Sequence, residues 1–103
     1  MSNHTRDPIT LRDIRARRGD ILALTEKYGV THVRVFGSIA RGESEEGSDV
    51  DFIVTFPPGT SIFDQVGLWL DLKELLGCDI DLIADHPSGG DVTREARRTA
   101  IPI

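Results

Sequence analysis

Apolar residues recur along this chain with two different spacings, which predict helices alternating with strands. From Thr10 to Tyr28 they return every three or four positions, with arginines between them, as expected for an amphipathic helix. Thr10, with Asp13 three residues later, predicts a capping box at the start, and Gly29 predicts the end. We therefore expect one continuous helix over this segment.

The same spacing predicts a second long helix from Ser61 to about Leu76. Ser61 is a candidate cap, with Asp64 at the third position, and Gly77 is expected to end the helix. Its buried side is expected to consist of Ile62, Phe63, Val66, Leu70, Leu72, Leu75 and Leu76.

Alternating apolar and polar residues predict three strands between and after these helices. The first is "THVRVF" at 31–36, the second is "DVDFIVTF" at 49–56, and the third is "CDIDLIA" at 78–84. "GSIARGE" predicts a tight turn leading into a short helical turn, "SEEGS" a polar loop, and "DVTREARRT" a last short helix. This order predicts an α+β fold, in which a small mixed sheet is flanked by helices in one domain spanning 1–103.

Composition narrows the function. The chain has 103 residues, 39% hydrophobic and 28% charged, which is ordinary for a single globular domain. A net charge of −5 argues against a broad nucleic-acid-binding surface. One cysteine allows no internal disulfide, the N-terminal segment lacks the apolar core of a signal peptide, and no apolar run reaches the ~20 residues of a membrane span. We expect a cytoplasmic protein without membrane contact.

The second predicted strand begins with two carboxylates, although carboxylates are poor strand formers. Alternate residues of a strand share a face, so Asp49 and Asp51 should point the same way, with Cα atoms ~7 Å apart. Two like charges repel, and in a partly buried site one of them should have a raised pKa. A divalent cation removes that repulsion, and hard oxygen ligands favour Mg²⁺ or Mn²⁺.

A third carboxylate comes from the third predicted strand, which can lie next to the second. Asp81 lies inside that strand, whereas Asp79 lies nearer its start and is expected to be solvated. Asp49, Asp51 and Asp81 on one sheet face would suit a pair of metal ions ~3.5–4 Å apart, the arrangement that drives in-line phosphoryl chemistry.

Gly37 and Ser38 follow the first strand and precede a helical turn, where free backbone N–H groups bind anions. Gly37 would let a phosphate approach the backbone, and Ser38 would cap the turn and donate its hydroxyl to a phosphate oxygen. Arg41 lies within reach and can neutralise a phosphate charge. This phosphate cradle and the carboxylates together could hold a metal–nucleoside triphosphate.

"GSIARGESEEGSDVDFIV", residues 37–54, resembles the signature of the minimal nucleotidyltransferases: G-S-x-A-x-G, a short acidic loop, then S-D-[IV]-D. These proteins belong to the DNA polymerase β-like nucleotidyltransferase superfamily. The similarity extends over almost the whole chain, from the leading helix to the "DIDLI" strand and the "REA" tail. The combined motif is far more specific than a Gly-Ser pair or an Asp-x-Asp alone.

The resemblance implies a nucleotidyltransferase fold and a role for each matching position. Gly37 and Ser38 would hold the triphosphate of ATP, and Asp49 and Asp51 would bind Mg²⁺. Asp81 would complete the site and help to activate the acceptor hydroxyl.

Larger relatives carry a further helical domain that binds the acceptor or the base, and its absence here implies a partner. Minimal members commonly act as antitoxins paired with a HEPN-type ribonuclease toxin. The resemblance therefore implies transfer of AMP from ATP to a tyrosine hydroxyl of such a toxin.

Other interpretations of the sequence stay open. The domain could be a binding subunit without chemistry, with a merely solvated acidic face. It could instead modify a small molecule, such as an aminoglycoside, with a separate helical subunit providing the pocket. A nucleic-acid polymerase is disfavoured by the acidic charge and the missing domains. The residues themselves leave open which nucleotide base and which acceptor are used. They also leave open whether the chain self-associates or assembles with another chain.

Overall fold

The computed structural model describes residues 9–43, 49–85 and 94–103. The elements in these ranges are, in chain order, α1 (Leu11–Ala16), α2 (Arg18–Lys27), β1 (Thr31–Phe36), α3 (Ser38–Arg41), β2 (Val50–Thr55), α4 (Ile62–Leu76), β3 (Ile80–Asp85), α5 (Arg94–Thr99) and β4 (Ile101–Pro102). The loop predicted at 44–48 and the beginning of the helix predicted at 91–99 lie outside the described residues.

The strands form one mixed sheet in the order β3-β2-β1-β4, which confirms the predicted α+β class. β2 and β3 are parallel and are joined through α4, whereas β1 is antiparallel to both of its neighbours. In this register Phe36 lies opposite Asp51, and Asp51 lies opposite Asp81. The end of β1 and the acidic positions of β2 and β3 therefore meet at one end of the sheet.

The prediction of one continuous helix from Thr10 to Tyr28 is wrong, although its capping box is confirmed. The helix is interrupted at Arg17, whose φ of −105° and ψ of 17° are not helical. The backbone N–H of Arg17 donates to the carbonyl of Ile14 at 3.1 Å, three residues back instead of four. Ile14 and Ile21 are both fully buried, so the apolar spacing continues through the interruption and hides it.

The main core lies between the sheet and the helices α1, α2 and α4. As predicted, one face of β2 fills it, since Val50, Phe52, Val54 and Phe56 are all buried there with Leu68 and Leu72 of α4. The alternate residues of β2 belong to the opposite face, where Asp51 lies. The core therefore leaves Asp51 on the sheet face opposite α4, whereas Asp81, on the edge strand β3, also lines a cavity with Ile62, Val66 and Trp69 of α4.

α4 begins after its cap Ser61 and ends at Gly77, as predicted. The prediction of its buried side is only half correct. Leu72 is fully buried and Leu75 and Leu76 are partly buried, but four other residues are exposed: Ile62, Phe63, Val66 and Leu70. Apolar residues lie on two sides of the helix, and only one side of a helix can face a sheet. Trp69 packs against the core and donates from Nε1 to the carbonyl of Ile80 at 2.7 Å.

The described helices include none that is long and apolar enough to cross a membrane.

Candidate active site

Strand pairing brings two of the three predicted carboxylates together. Asp51 and Asp81 are directly opposite each other on the parallel strands β2 and β3. Neighbouring strands are ~4.8 Å apart, and residues in register share a face. Asp49 lies immediately before β2, so its prediction as a strand residue is wrong by one position. Strand pairing begins with Val50, whose N–H donates to the carbonyl of Asp79 at 3.0 Å.

The three carboxylates interact electrostatically. The pKa of the Asp51 carboxyl is raised, first by burial and then by the negative charges of Asp81 and Asp49. The positive charge of Arg41 acts in the opposite direction and lowers it. Asp51 is half-buried, whereas Asp49 and Asp81 are exposed. The raised pKa expected for one member of the acidic pair thus belongs to Asp51, and it means that ionised Asp51 is held at an electrostatic cost.

Gly37 lies between β1 and α3, directly beside Asp51. Its φ of 74° and ψ of −148° belong to a backbone region that residues with a Cβ atom rarely adopt. A Cβ atom at this position would collide with Oδ2 of Asp51. The sequence suggested that a glycine is needed at position 37 so that a phosphate can approach the backbone. The structure adds a second requirement, because only a glycine leaves room for the Asp51 carboxylate.

α3 begins with Ser38, and Gly37 holds the N-cap position. The prediction that Ser38 caps this turn is therefore wrong, because Ser38 is the first helical residue. Its carbonyl accepts from the N–H of Glu43 at 2.8 Å, which helps to close the turn at the far end of α3. Ser38 remains next to Gly37 and thus at the acidic end of the sheet.

Arg41 is the cation of the site, and its side chain is exposed. Its Nε donates to Oε1 of Glu43 at 2.6 Å. An exposed ion pair of this kind contributes at most about 1 kcal/mol. Glu43 therefore competes only weakly with an incoming phosphate for Arg41, and the effect of Arg41 on the pKa of Asp51 shows that its charge already acts on the carboxylates.

The acidic face fits a divalent cation without being a complete metal site. Within the described ranges, no group of three His, Cys, Asp or Glu side chains is arranged to hold a metal ion. Mg²⁺ is usually bound by one or two carboxylates, while waters and substrate phosphates supply the remaining oxygens. Asp51 and Asp81 provide such carboxylates. After burial, the cost of ionising Asp51 comes from repulsion by Asp81 and Asp49, which a cation relieves.

Comparison with known proteins agrees with this geometry. A family model of the nucleotidyltransferase domain matches residues 21–100. The protein adenylyltransferase MntA of Thermococcus cleftensis is 43% identical over 80 residues, which are 78% of this chain and 81% of that protein. The structure of a protein assigned as a minimal nucleotidyltransferase superposes with a TM-score of 0.78 at 41% identity, covering 92% of this chain and 97% of that one.

A more distant likeness concerns the fold alone. A crystal structure of a toxin–antitoxin with AMP-PNP has a TM-score of 0.57 at 24% identity, and the match covers 64% of this chain and 55% of that one. The fold of this part of the chain thus recurs in a protein of low sequence similarity.

Proposed function

Because the chain belongs to the nucleotidyltransferase domain family, we propose that it transfers AMP from ATP to a tyrosine hydroxyl of a HEPN-type ribonuclease toxin and so acts as the antitoxin. The observation that carries the proposal is the pairing of Asp51 with Asp81 beside the Gly37 turn. Similarity to a protein adenylyltransferase supports a protein as the acceptor. The resemblance to minimal nucleotidyltransferases supplies the toxin and its tyrosine, and the cytoplasmic location is proposed from the composition of the sequence.

In the proposed reaction the acceptor hydroxyl attacks the α-phosphorus of ATP in line. A bond forms between the hydroxyl oxygen and this phosphorus, the bond to the bridging oxygen of the β-phosphate breaks, and pyrophosphate leaves. Asp81 helps to remove the hydroxyl proton. Gly37 and Ser38 position the triphosphate, and Arg41 balances part of its charge.

Asp49, Asp51 and Asp81 would hold Mg²⁺ or Mn²⁺, which stabilises negative charge on the triphosphate when it is bound. Ionised Asp51 is unfavourable in the protein alone, first because it is partly buried and then because two other carboxylates are near. We therefore expect weak binding of the cation alone and stronger binding with a nucleotide, whose phosphate oxygens supply the missing ligands. Calorimetry of ATP binding with and without a chelator measures this dependence, and unchanged binding would contradict it.

The deciding experiment incubates the protein with a HEPN-type toxin and ATP labelled at the α-phosphate. We expect label on the toxin, together with a mass increase corresponding to AMP. The double variant Asp49→Asn with Asp51→Asn should stay folded and bind the toxin, yet lose label transfer and the protection of cells. Asp20→Asn is a matched control, because Asp20 is an exposed carboxylate on α2, which packs on the opposite face of the sheet.

Full protection by the double variant, without a mass increase on toxin treated with the unaltered protein, would contradict the enzymatic proposal. The binding-subunit interpretation would then replace it. A second measurement concerns the turn, since Ser38→Ala should weaken ATP binding modestly and leave folding intact.

A further inference from the structure

A cavity of about 240 Å³ lies between α4 and the edge strand β3. Ile62, Val66 and Trp69 line it from α4, at intervals of four and three residues along one side of the helix. Leu82 and Asp81 line it from β3. Because Asp81 is also in register with a carboxylate of β2, the cavity is continuous with the candidate active site.

The lining of this cavity is largely apolar and aromatic. Phe56 and Trp69 contribute rings, Gln65 contributes an amide, and Asp81 is the one charged side chain in the described lining. Two of the apolar residues stay open to solvent, with exposed fractions of 63% for Ile62 and 44% for Val66. Apolar walls with a few polar groups are the usual composition of a ligand site. The composition therefore suits an apolar group that carries a polar atom at one end.

The aromatic wall is fixed before any ligand enters. Nε1 of Trp69 donates to the carbonyl of Ile80 at 2.7 Å, and Ile80 directly precedes Asp81. The ammonium group of Lys73 lies 5.0 Å from the centre of the same indole ring. A wall that is already ordered loses little conformational entropy when it binds a ligand.

The size of the cavity limits what it can hold. It is smaller than the roughly 300–1,000 Å³ of sites that enclose a whole ligand. It is larger than the apolar cavity of about 150 Å³ that accepts a benzene molecule in another protein. One substituted aromatic ring fits this interval. A hydroxyl group on the ring could donate to Asp81, whereas a phosphate would be repelled by it.

The order of the strands favours the acceptor as the occupant. β2 carries Asp51 and lies between β3 and β1, so the cavity and the Gly37 turn are on opposite sides of that carboxylate. With the triphosphate on Gly37 and Ser38, the leaving pyrophosphate lies on the β1 side. Attack in line requires the acceptor oxygen on the side opposite to the leaving group. That is the side of β3 and its cavity.

We propose that this cavity binds the aromatic ring of the acceptor tyrosine and places its hydroxyl beside Asp81. The inference rests on the transfer reaction proposed above, and it assigns Ile62, Val66 and Trp69 to recognition of the acceptor. In this role they position the ring and do not take part in the chemistry.

The first test uses p-cresol, which has the ring and hydroxyl of tyrosine, and needs neither ATP nor toxin. The chain contains one tryptophan, so a nitrogen–proton correlation spectrum shows one indole N–H signal, that of Trp69. p-Cresol should shift this signal until it saturates, with a Kd in the millimolar range expected of so small a ligand. A signal that does not move up to the solubility limit of p-cresol would overturn the proposal.

A matched pair of variants locates the site of binding. Val66→Phe fills part of the cavity, whereas Leu70→Phe adds the same ring at an exposed position of α4 outside the described lining. Both should keep the circular dichroism spectrum, because both side chains are exposed. Val66→Phe should weaken the binding of p-cresol by about tenfold, since overpacking a site is unfavourable, and Leu70→Phe should leave it unchanged. Equal Kd values in the two variants would show that p-cresol binds elsewhere.

A purine base is the other ring that could occupy the cavity. Adenosine carries the base of ATP without its phosphates, and we expect it to leave the binding of p-cresol unchanged. Displacement of p-cresol by adenosine would assign the cavity to the nucleotide, and the proposal would be wrong.

Kinetics separate this inference from the proposed function. In the labelled-ATP assay p-cresol should compete with the toxin and not with ATP, and Val66→Phe should raise KM for the toxin while leaving KM for ATP unchanged. Label transfer that p-cresol inhibits without competing with the toxin would overturn this inference alone. Binding of p-cresol to a protein that transfers no label to the toxin would overturn the proposed function and, with it, the tyrosine as occupant.

Discussion

Gly37 and Gly42 flank α3 and provide a matched pair of positions for substitution by alanine. Both have positive φ, 74° and 72°. Gly42 has a ψ of 23°, in the left-handed helical region, and a Cβ there would meet nothing within 4 Å. Gly37 has a ψ of −148°, and its Cβ would collide with Asp51 Oδ2. The two substitutions therefore differ in backbone strain and in their effect on the active site.

The expected magnitudes follow from these differences. Gly42→Ala should cost about 1 kcal/mol, because left-handed strain of about 1–2 kcal/mol is partly offset by the lower entropy of the unfolded chain. At Gly37 the backbone strain is about 1–3 kcal/mol. Moving the Asp51 carboxylate out of the way adds about 0.5–1.5 kcal/mol for an unfavourable rotamer. We therefore expect Gly37→Ala to cost about 2–4 kcal/mol.

Activity should separate the two variants more clearly than stability. In Gly37→Ala the collision is relieved by displacing Asp51, and misplacing a reacting group by 1 Å can cost on the order of 100-fold in rate. Gly42→Ala leaves Asp51 in place and should transfer label at nearly the normal rate. Urea denaturation measures the difference in stability, and the labelled-ATP assay measures the difference in transfer rate. Equal stability and equal transfer rates in the two variants would refute the close approach of Gly37 to Asp51.

Two further predictions concern titrating side chains, both measured by urea denaturation across pH. The pKa of Asp51 is raised, so the stability linked to this carboxyl is complete below its unfolded pKa of about 4 and is lost as pH rises through the folded value. Asp51→Asn should therefore add stability at neutral pH and add none in acid. The gain should be less than about 1 kcal/mol, because solvent screens the charge of Asp51. A loss of stability at neutral pH would contradict this prediction. Tyr28 donates to Asp71 at 2.7 Å, and this hydrogen bond is the main reason that its pKa is raised. Tyr28→Phe should cost about 1–2 kcal/mol of stability at neutral pH. The unaltered protein should lose stability above about pH 10 as Tyr28 ionises, and the variant should lack this loss. The same dependence of stability on alkaline pH in both proteins would count against the prediction.

The alternation of "DVDFIVTF" was enough to predict which face of β2 enters the core, because burial on one face of a strand imposes a period of two. The predicted second and third strands also placed Asp51 and Asp81 next to each other in the sheet, as the structure shows. The exact start of β2 could not be predicted, because it depends on the hydrogen bond from Val50 to the carbonyl of Asp79 in a distant part of the chain. Asp49 accordingly lies one residue before the strand.

β4 could not be expected from its own residues. Ile101 and Pro102 are too short a segment to show any period, and proline is uncommon in strands. They form a strand because they pair with β1 at the edge of the sheet, where Val35 lies opposite Ile101. The role of Gly37 beside Asp51 is of the same kind. A Gly-Ser turn suggests phosphate binding, but only the register of β1 with β2 brings that turn against a carboxylate.

α4 shows where periodicity stops being informative. Its apolar positions satisfy helical spacing twice, once for Leu68 and Leu72 against the sheet and once for Phe63, Val66 and Leu70 facing away. Spacing alone identifies a helix with apolar sides, but it does not say which side meets the rest of the chain. Only the short connections of α4 to β2 and β3 decide that. The side left over carries Phe63, Val66 and Leu70, which the described part of the chain leaves exposed, so it is a surface at which another molecule could bind.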